Sequence, residues 1–203
     1  MSSWLDVALL AVLIVLNGVF AMSEISLVTS RRARLQRLID DKVAGAERAR
    51  ELNADPNRAL STIQVGITSI GILSGIVGES ALARPMEAFL VMVGLSPETA
   101  KAIGLFVVVV LITYFSIVMG ELVPKRIGQI SPERIACRLA PPIHCLSIIA
   151  APFVKLLSAS THLLLKRLGI SETQGSSVTE EEIHAMIEEG QESGVIETAE
   201  RNM

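Results

Sequence analysis

The chain has 203 residues, 50% of them hydrophobic and only 3% aromatic, with a mean hydropathy of +0.52, a composition that suits lipid-facing helices of Val, Ile, Leu, Ala and Met better than a soluble core. The net charge of −3 says little about partners because the charges are segregated along the chain, and no nucleic-acid partner is expected. Cys137 and Cys145 lack zinc-ligand spacing, and no P-loop, metalloprotease motif or nucleophile–base constellation occurs, so an enzyme is not expected.

Residues 4–22 are the first predicted span, interrupted by Asp6 near its start and Asn17 inside. About 20 apolar residues cross about 30 Å of hydrocarbon. The segment lacks a basic leader and an evident cleavage motif, which favours a permanent span over a signal peptide. It ends in Ser23 and Glu24. The connection that follows, to Arg58, carries eight Lys or Arg, against none before the span. Within it, "SRRARLQRLIDDKVAGAERARELN" (30–53) reads as helical, with Leu35 and Leu38 apolar and Ser30 as N-cap. Its charges form a solvated face that sets topology and touches anionic lipid headgroups.

The second span, residues 59–78, has 20 residues and no charge. Gly71 and Gly75 have the small-xxx-small spacing that lets helices approach closely, and the hydroxyls can bond back to their own helix. Alternatively Thr68 or Gly71 lines a polar cavity, where a bare carbonyl is a ligand for a hard cation. The third span, residues 102–120, has 19 residues and no charge. The distribution of basic residues places the N-terminus outside, and the Arg-rich connection and everything after Glu121 inside.

At the foot of the third span stands "ITYFSIVMGELVPKRIG" (112–128). Glu121 has two readings. It is an interfacial carboxylate paired with Lys125 four residues on. Or Gly120 and Pro124 loosen the helix there and free backbone carbonyls. Carbonyls, a carboxylate and a serine hydroxyl then make an oxygen-rich site, suited to Mg²⁺ or Ca²⁺. By the topology above, Ser23–Glu24 and Gly120–Glu121 share the inner side.

Residues 135–168 are apolar but irregular, with Pro141, Pro142 and Pro152 and with Lys155 in the middle. A lysine at the bilayer centre costs about 2.5–3.5 kcal/mol on insertion scales. Short amphipathic helices at the inner interface, broken at the prolines, are therefore expected rather than a fourth crossing of 142–165. Residues 171–203 hold nine Glu and one Arg, and Thr179 with Glu182 has capping-box spacing. That tail reads as the start of a cytosolic domain, cut short.

"FAMSEISLVTSRRARL" (20–35), "LSTIQVGITSIGILSG" (60–75) and "GELVPKRIG" (120–128) resemble the transmembrane domain of the CorC/CorB/CNNM family, also called DUF21 and often labelled hemolysin-like. The acidic tail is similar to that family's helical linker into a pair of CBS domains. The resemblance implies an all-α integral membrane homodimer. It has a transmembrane domain over 1–134 with three spans, juxtamembrane interfacial helices over 135–168, and the linker over 171–203.

The resemblance also implies Mg²⁺ efflux across the cell (inner) membrane, with Na⁺ as a coupling ion and ATP bound only at the absent CBS pair. It points to Ser23, Gly120 and Glu121 as ligands of a partly dehydrated cation. In relatives the middle of the second span holds an asparagine. Here "GITSIGIL" offers Thr68 and Gly71 instead, and a water or a carbonyl takes the amide's place. Asn17, Glu24, Pro124 and Lys125 are expected to shape or gate the site, and Gly71 and Gly75 to pack the dimer. The rival expectation is a non-transporting regulator that presents CBS domains to another transporter. It predicts that polar residues in the spans serve packing alone.

Overall fold

Proline and a polar cap write the starts of two long helices. The Asp55 carboxylate accepts the Arg58 backbone N–H at 3.2 Å, and Pro56 sits in the first turn, where its missing N–H is not needed. The Ser96 hydroxyl accepts the Thr99 N–H at 3.3 Å ahead of Pro97 in the same way. The structure, a computed structural model, describes residues 3–169, so the tail helix expected from Thr179 lies outside the described residues.

Every element among the described residues is helical: α1 (Ser3–Thr29), α2 (Arg32–Asp40), α3 (Ala46–Ala54), α4 (Pro56–Gly78), α5 (Arg84–Met92), α6 (Pro97–Ile117), α7 (Val123–Ile130) and α8 (Pro132–Arg167). A π-helical turn, Glu79–Ala83, joins α4 to α5, and another, Val118–Leu122, joins α6 to α7. Trp4–Thr29, Pro56–Met92, Pro97–Ile130 and Pro132–Arg167 are each long and apolar enough to cross a membrane. Val12, Val15, Ile72, Phe106 and Val109 stand exposed on α1, α4 and α6, the surface expected of helices solvated by lipid.

The chain divides into two compact units, Met1–Ser158 and Ala159–Met203. In the first, α1 runs alongside the α6–α7 segment in the same direction, pairing Asn17 with Gly120, Glu24 with Lys125 and Ser26 with Gly128. Helix α4 runs the opposite way, with Gly66 against Phe20 and with Ala59 and Ile63 in one cluster with Leu27. These three helices thus alternate in direction. At the Thr29 end of α1, Leu27, Leu35, Ala49, Ile63, Ala136 and Ile143 form the core of a helical cap. Burying Leu35 completely contributes about 1.5–3 kcal/mol. In the second unit the described residues 159–169 carry the end of α8, which closes at Gly169 with φ 71°.

One expectation is refined and two are corrected. The Arg-rich connection is two helices, because Lys42 and Gly45 take positive φ (55° and 81°) and turn the chain between them. Ser30 does not cap α2. Its hydroxyl donates to the Ser26 carbonyl at 2.6 Å, leaving Arg31 as the N-cap without a side-chain bond. The prolines do not break residues 135–168 into short helices, since α8 is continuous through Pro141, Pro142 and Pro152.

The cap explains part of that continuity. Pro141 deprives the Cys137 carbonyl of its helical donor. That oxygen faces the backbone of Gly45 so closely that a Cβ there would clash with it. Packing against the cap holds the helix where the proline would loosen it.

Candidate cation site at the alpha1 and alpha7 seam

Pro124 has no N–H to give to Gly120, four residues back, so a buried carbonyl must find another donor. Asn17 supplies it: its Nδ2 donates to the Gly120 carbonyl at 2.9 Å, bonding α1 to the π-helical turn. The expected loosening is thus a turn in which the Val123 N–H reaches back to the Val118 carbonyl. Close approach makes the bond possible. A Cβ on Gly120 would stand 3.2 Å from Asn17 Nδ2, and a Cβ on Gly18 would stand 2.8 Å from the ring of buried Pro124.

The other end of the Asn17 amide is left open: Oδ1 is buried and has no hydrogen-bond partner among the described residues. A buried oxygen without a donor is costly in a protein and suited to a ligand that brings positive charge or a proton.

Seven residues further along α1, about two turns, the charges meet. Lys125 Nζ lies 2.9 Å from Glu121 Oε1 and 3.3 Å from Glu24 Oε2, so carboxylates from α1 and from the π-helical turn share one ammonium. All three side chains are part-exposed, at 48% for Glu121, 33% for Lys125 and 27% for Glu24, which keeps the group open to solvent and to exchange. Ser23 is buried and its hydroxyl donates to the Val19 carbonyl at 2.7 Å, leaving its lone pairs as acceptors. Ser26 does likewise with Met22 at 2.7 Å, and its hydroxyl lies 3.4 Å from the Gly128 carbonyl.

The structure therefore brings together Asn17, Gly120, Glu121, Pro124, Lys125 and Glu24, with Ser23 next to Glu24 on α1. The second-span candidates stand elsewhere. Thr68 is exposed. Gly71 and Gly75 have nothing within 4 Å of a Cβ built on them. They line an open groove of about 290 Å³ between α4 and α6, together with Ser74, Glu79, Thr113 and Ser116. Among the described residues nothing is in contact with the stripe formed by these two glycines.

Among the described residues no three His, Cys, Asp or Glu side chains cluster as a metal-ligand set. A cation at the seam would rely on few carboxylates and several neutral oxygens, the donor set of a hard, partly hydrated ion. Gly18 and Glu133 were not singled out from the sequence. An Asn-Gly pair inside an apolar span was the available signal for Gly18. Glu133 is buried and accepts the Arg31 backbone N–H at 3.3 Å, tying α8 to the start of α2, and only the tertiary fold reveals that. Elsewhere on the cap, a hydrogen bond from Arg48 holds the exposed Glu51 carboxyl below its ordinary range.

With that geometry in place, the similarities fall into line. The family model described as Cyclin M transmembrane N-terminal domain matches residues 8–200. The chain is 43% identical over 199 residues to UPF0053 protein sll0260 of Synechocystis, an alignment covering 98% of this chain and 44% of that protein. It is 33% identical over 195 residues to UPF0053 protein YhdT of Bacillus subtilis, covering 95% and 42%. It is 28% identical over 191 residues to the Polyamine export protein of Escherichia coli K12, covering 94% and 42%. The chain spans less than half the length of these curated relatives.

Proposed function

Because this chain belongs to the Cyclin M transmembrane N-terminal domain family of multi-pass membrane proteins, we propose that it moves Mg²⁺ across the membrane through the seam of α1 and α7. A membrane transport role follows from the family and its relatives. One observation carries the choice of site: carboxylates on two neighbouring helical segments, Glu24 and Glu121, already converge on a single cationic group.

In this reading the ion arrives from the cytosol and keeps most of its waters, because Mg²⁺ dehydrates reluctantly. Glu121 supplies the main counter-charge. The Gly120 carbonyl, the Ser23 hydroxyl and the unpartnered Asn17 Oδ1 are the neutral oxygens within the same segments. The amide of Asn17 takes on part of the work first assigned to Thr68 and Gly71. The open stripe of Gly71 and Gly75 is where a second copy would pack in a dimer. Outward release follows a rearrangement of the spans, with Na⁺ as a coupling ion. The Thr29 end of α1 and the cap face the cytosol, and the basic cap rests against anionic headgroups.

A second reading has its own support. The group held between the two carboxylates is a primary ammonium, and one relative is named a polyamine exporter. A diamine cargo would use the same two carboxylates.

Titration calorimetry on the purified chain in detergent micelles, with MgCl₂ and with putrescine, separates these readings. Mg²⁺ is expected to bind saturably, and Glu121→Gln to abolish that binding while the protein keeps its helicity. Equal Mg²⁺ binding by Glu121→Gln would remove the carboxylate from the site. Binding of putrescine alone would make the diamine the cargo. Binding of neither would favour a non-transporting regulator.

A further inference from the structure

The lysine at the seam does more than tie two helices. Glu121 and Lys125 lie four residues apart across the start of α7, on one helical face. Pro124, buried against Gly18, presses this turn onto α1 and brings Lys125 within reach of Glu24. The ammonium is thus aimed by packing at the one place where carboxylates of both segments converge. With the lysine bound, the three groups sum to one negative charge. Without it, two carboxylates would face each other at the edge of the apolar layer with no counter-ion.

A divalent ion cannot share that place. An ammonium and a metal ion within about 4 Å of each other repel strongly wherever the surroundings are less polar than water. Lys125 has a flexible four-carbon stem and is one-third exposed, so it can leave.

We propose that Lys125 is a tethered counter-cation: it holds the two carboxylates when no cargo is bound and is displaced when Mg²⁺ binds. The inference rests on the cation-site reading of Glu121 and adds its regulation. Cargo and lysine occupancy are mutually exclusive, so the lysine weakens cargo affinity and hastens release. It also keeps the empty site neutralised enough for the spans to rearrange without cargo.

The test needs no unidentified ligand. In the purified chain, the reactivity of Lys125 toward reductive methylation is followed by peptide mass spectrometry with and without saturating MgCl₂, using NaCl at matched ionic strength. Mg²⁺ is expected to raise the methylation of Lys125 several-fold and to leave Lys155 unchanged. In parallel, Lys125→Met keeps the apolar stem and removes the charge, and Lys125→Arg keeps the charge. Calorimetry should find Mg²⁺ bound about tenfold tighter by Lys125→Met, from releasing two part-exposed ion pairs, and near wild type by Lys125→Arg.

A purely structural tie predicts the reverse: a less stable Lys125→Met with unchanged or weaker Mg²⁺ binding. That result, or methylation of Lys125 indifferent to Mg²⁺ that calorimetry shows to be bound, overturns the tethered cation while leaving the site intact. Binding by Lys125→Met where the wild type shows none would support the proposal in its strongest form. Absence of binding in both proteins overturns the site and the inference together.

Discussion

Replacing Asn17 with alanine tests the link between a proline and an amide across two helices. The Gly120 carbonyl is buried, has no N–H from Pro124, and accepts from Asn17 Nδ2 at 2.9 Å. Removing the amide leaves that acceptor unpaired, a loss of about 1–3 kcal/mol in proteins generally. Interhelical hydrogen bonds measured in membranes average about 0.6 and reach about 1.7 kcal/mol, which places the expected loss near 1–2 kcal/mol. An opposing contribution lowers it, since Asn17→Ala also removes the buried, unpartnered Oδ1. A single mutant therefore measures a difference, and a double-mutant cycle separates the parts. Pro124→Ala returns an N–H to position 124, which can serve the Gly120 carbonyl of the π-helical turn four residues back. In that background Asn17→Ala should cost about 1 kcal/mol less than in wild type. Thermal unfolding in detergent micelles resolves this, at about 2–4 °C per kcal/mol for a chain of this length. Additivity of the two substitutions within about 0.3 kcal/mol would refute the idea that the amide replaces the donor that the proline lacks.

Two further outcomes follow from the cap. Gly45→Ala meets a left-handed φ of 81° and the Cys137 carbonyl together, so its loss should exceed the roughly 1–2 kcal/mol of backbone strain alone. Gly94→Ala, at φ 104° but in open space, is the control, and equal melting losses in the two would refute the close approach of α8. Glu133→Ala should destabilise by about 0.5–1.5 kcal/mol, because it removes the buried carboxylate that accepts the Arg31 backbone N–H. Glu133→Gln should lose well under half of that, because the long 3.9 Å contact to the exposed Arg34 contributes little. Chemical unfolding of the two variants side by side checks the order.

The first three long helices were legible because each contains an apolar run of membrane-crossing length, charge-free but for Asp6 in the first, a property of composition that needs no knowledge of partners. The pairing of Glu121 with Lys125 was legible for a similar reason, since four residues make one helical turn wherever the helix lies. Loosening at Gly120 and Pro124 was legible too, because a missing N–H is a covalent fact. What these local rules could not supply was the second helix.

Only the tertiary structure decided that Asn17 answers the carbonyl freed by Pro124, that Glu24 completes the ammonium's cradle, and that Thr68 and Gly71 stand away from it. Only the tertiary structure decided that α8 stays unbroken through three prolines. A proline's effect in isolation is to disrupt, but here the Cys137 carbonyl beside Pro141 lies against Gly45, ninety-two positions earlier in the chain. Sequence patterns report what a segment can do by itself. Which buried donor meets which buried acceptor depends on contacts between residues about a hundred positions apart, and those are set by the packing of whole helices.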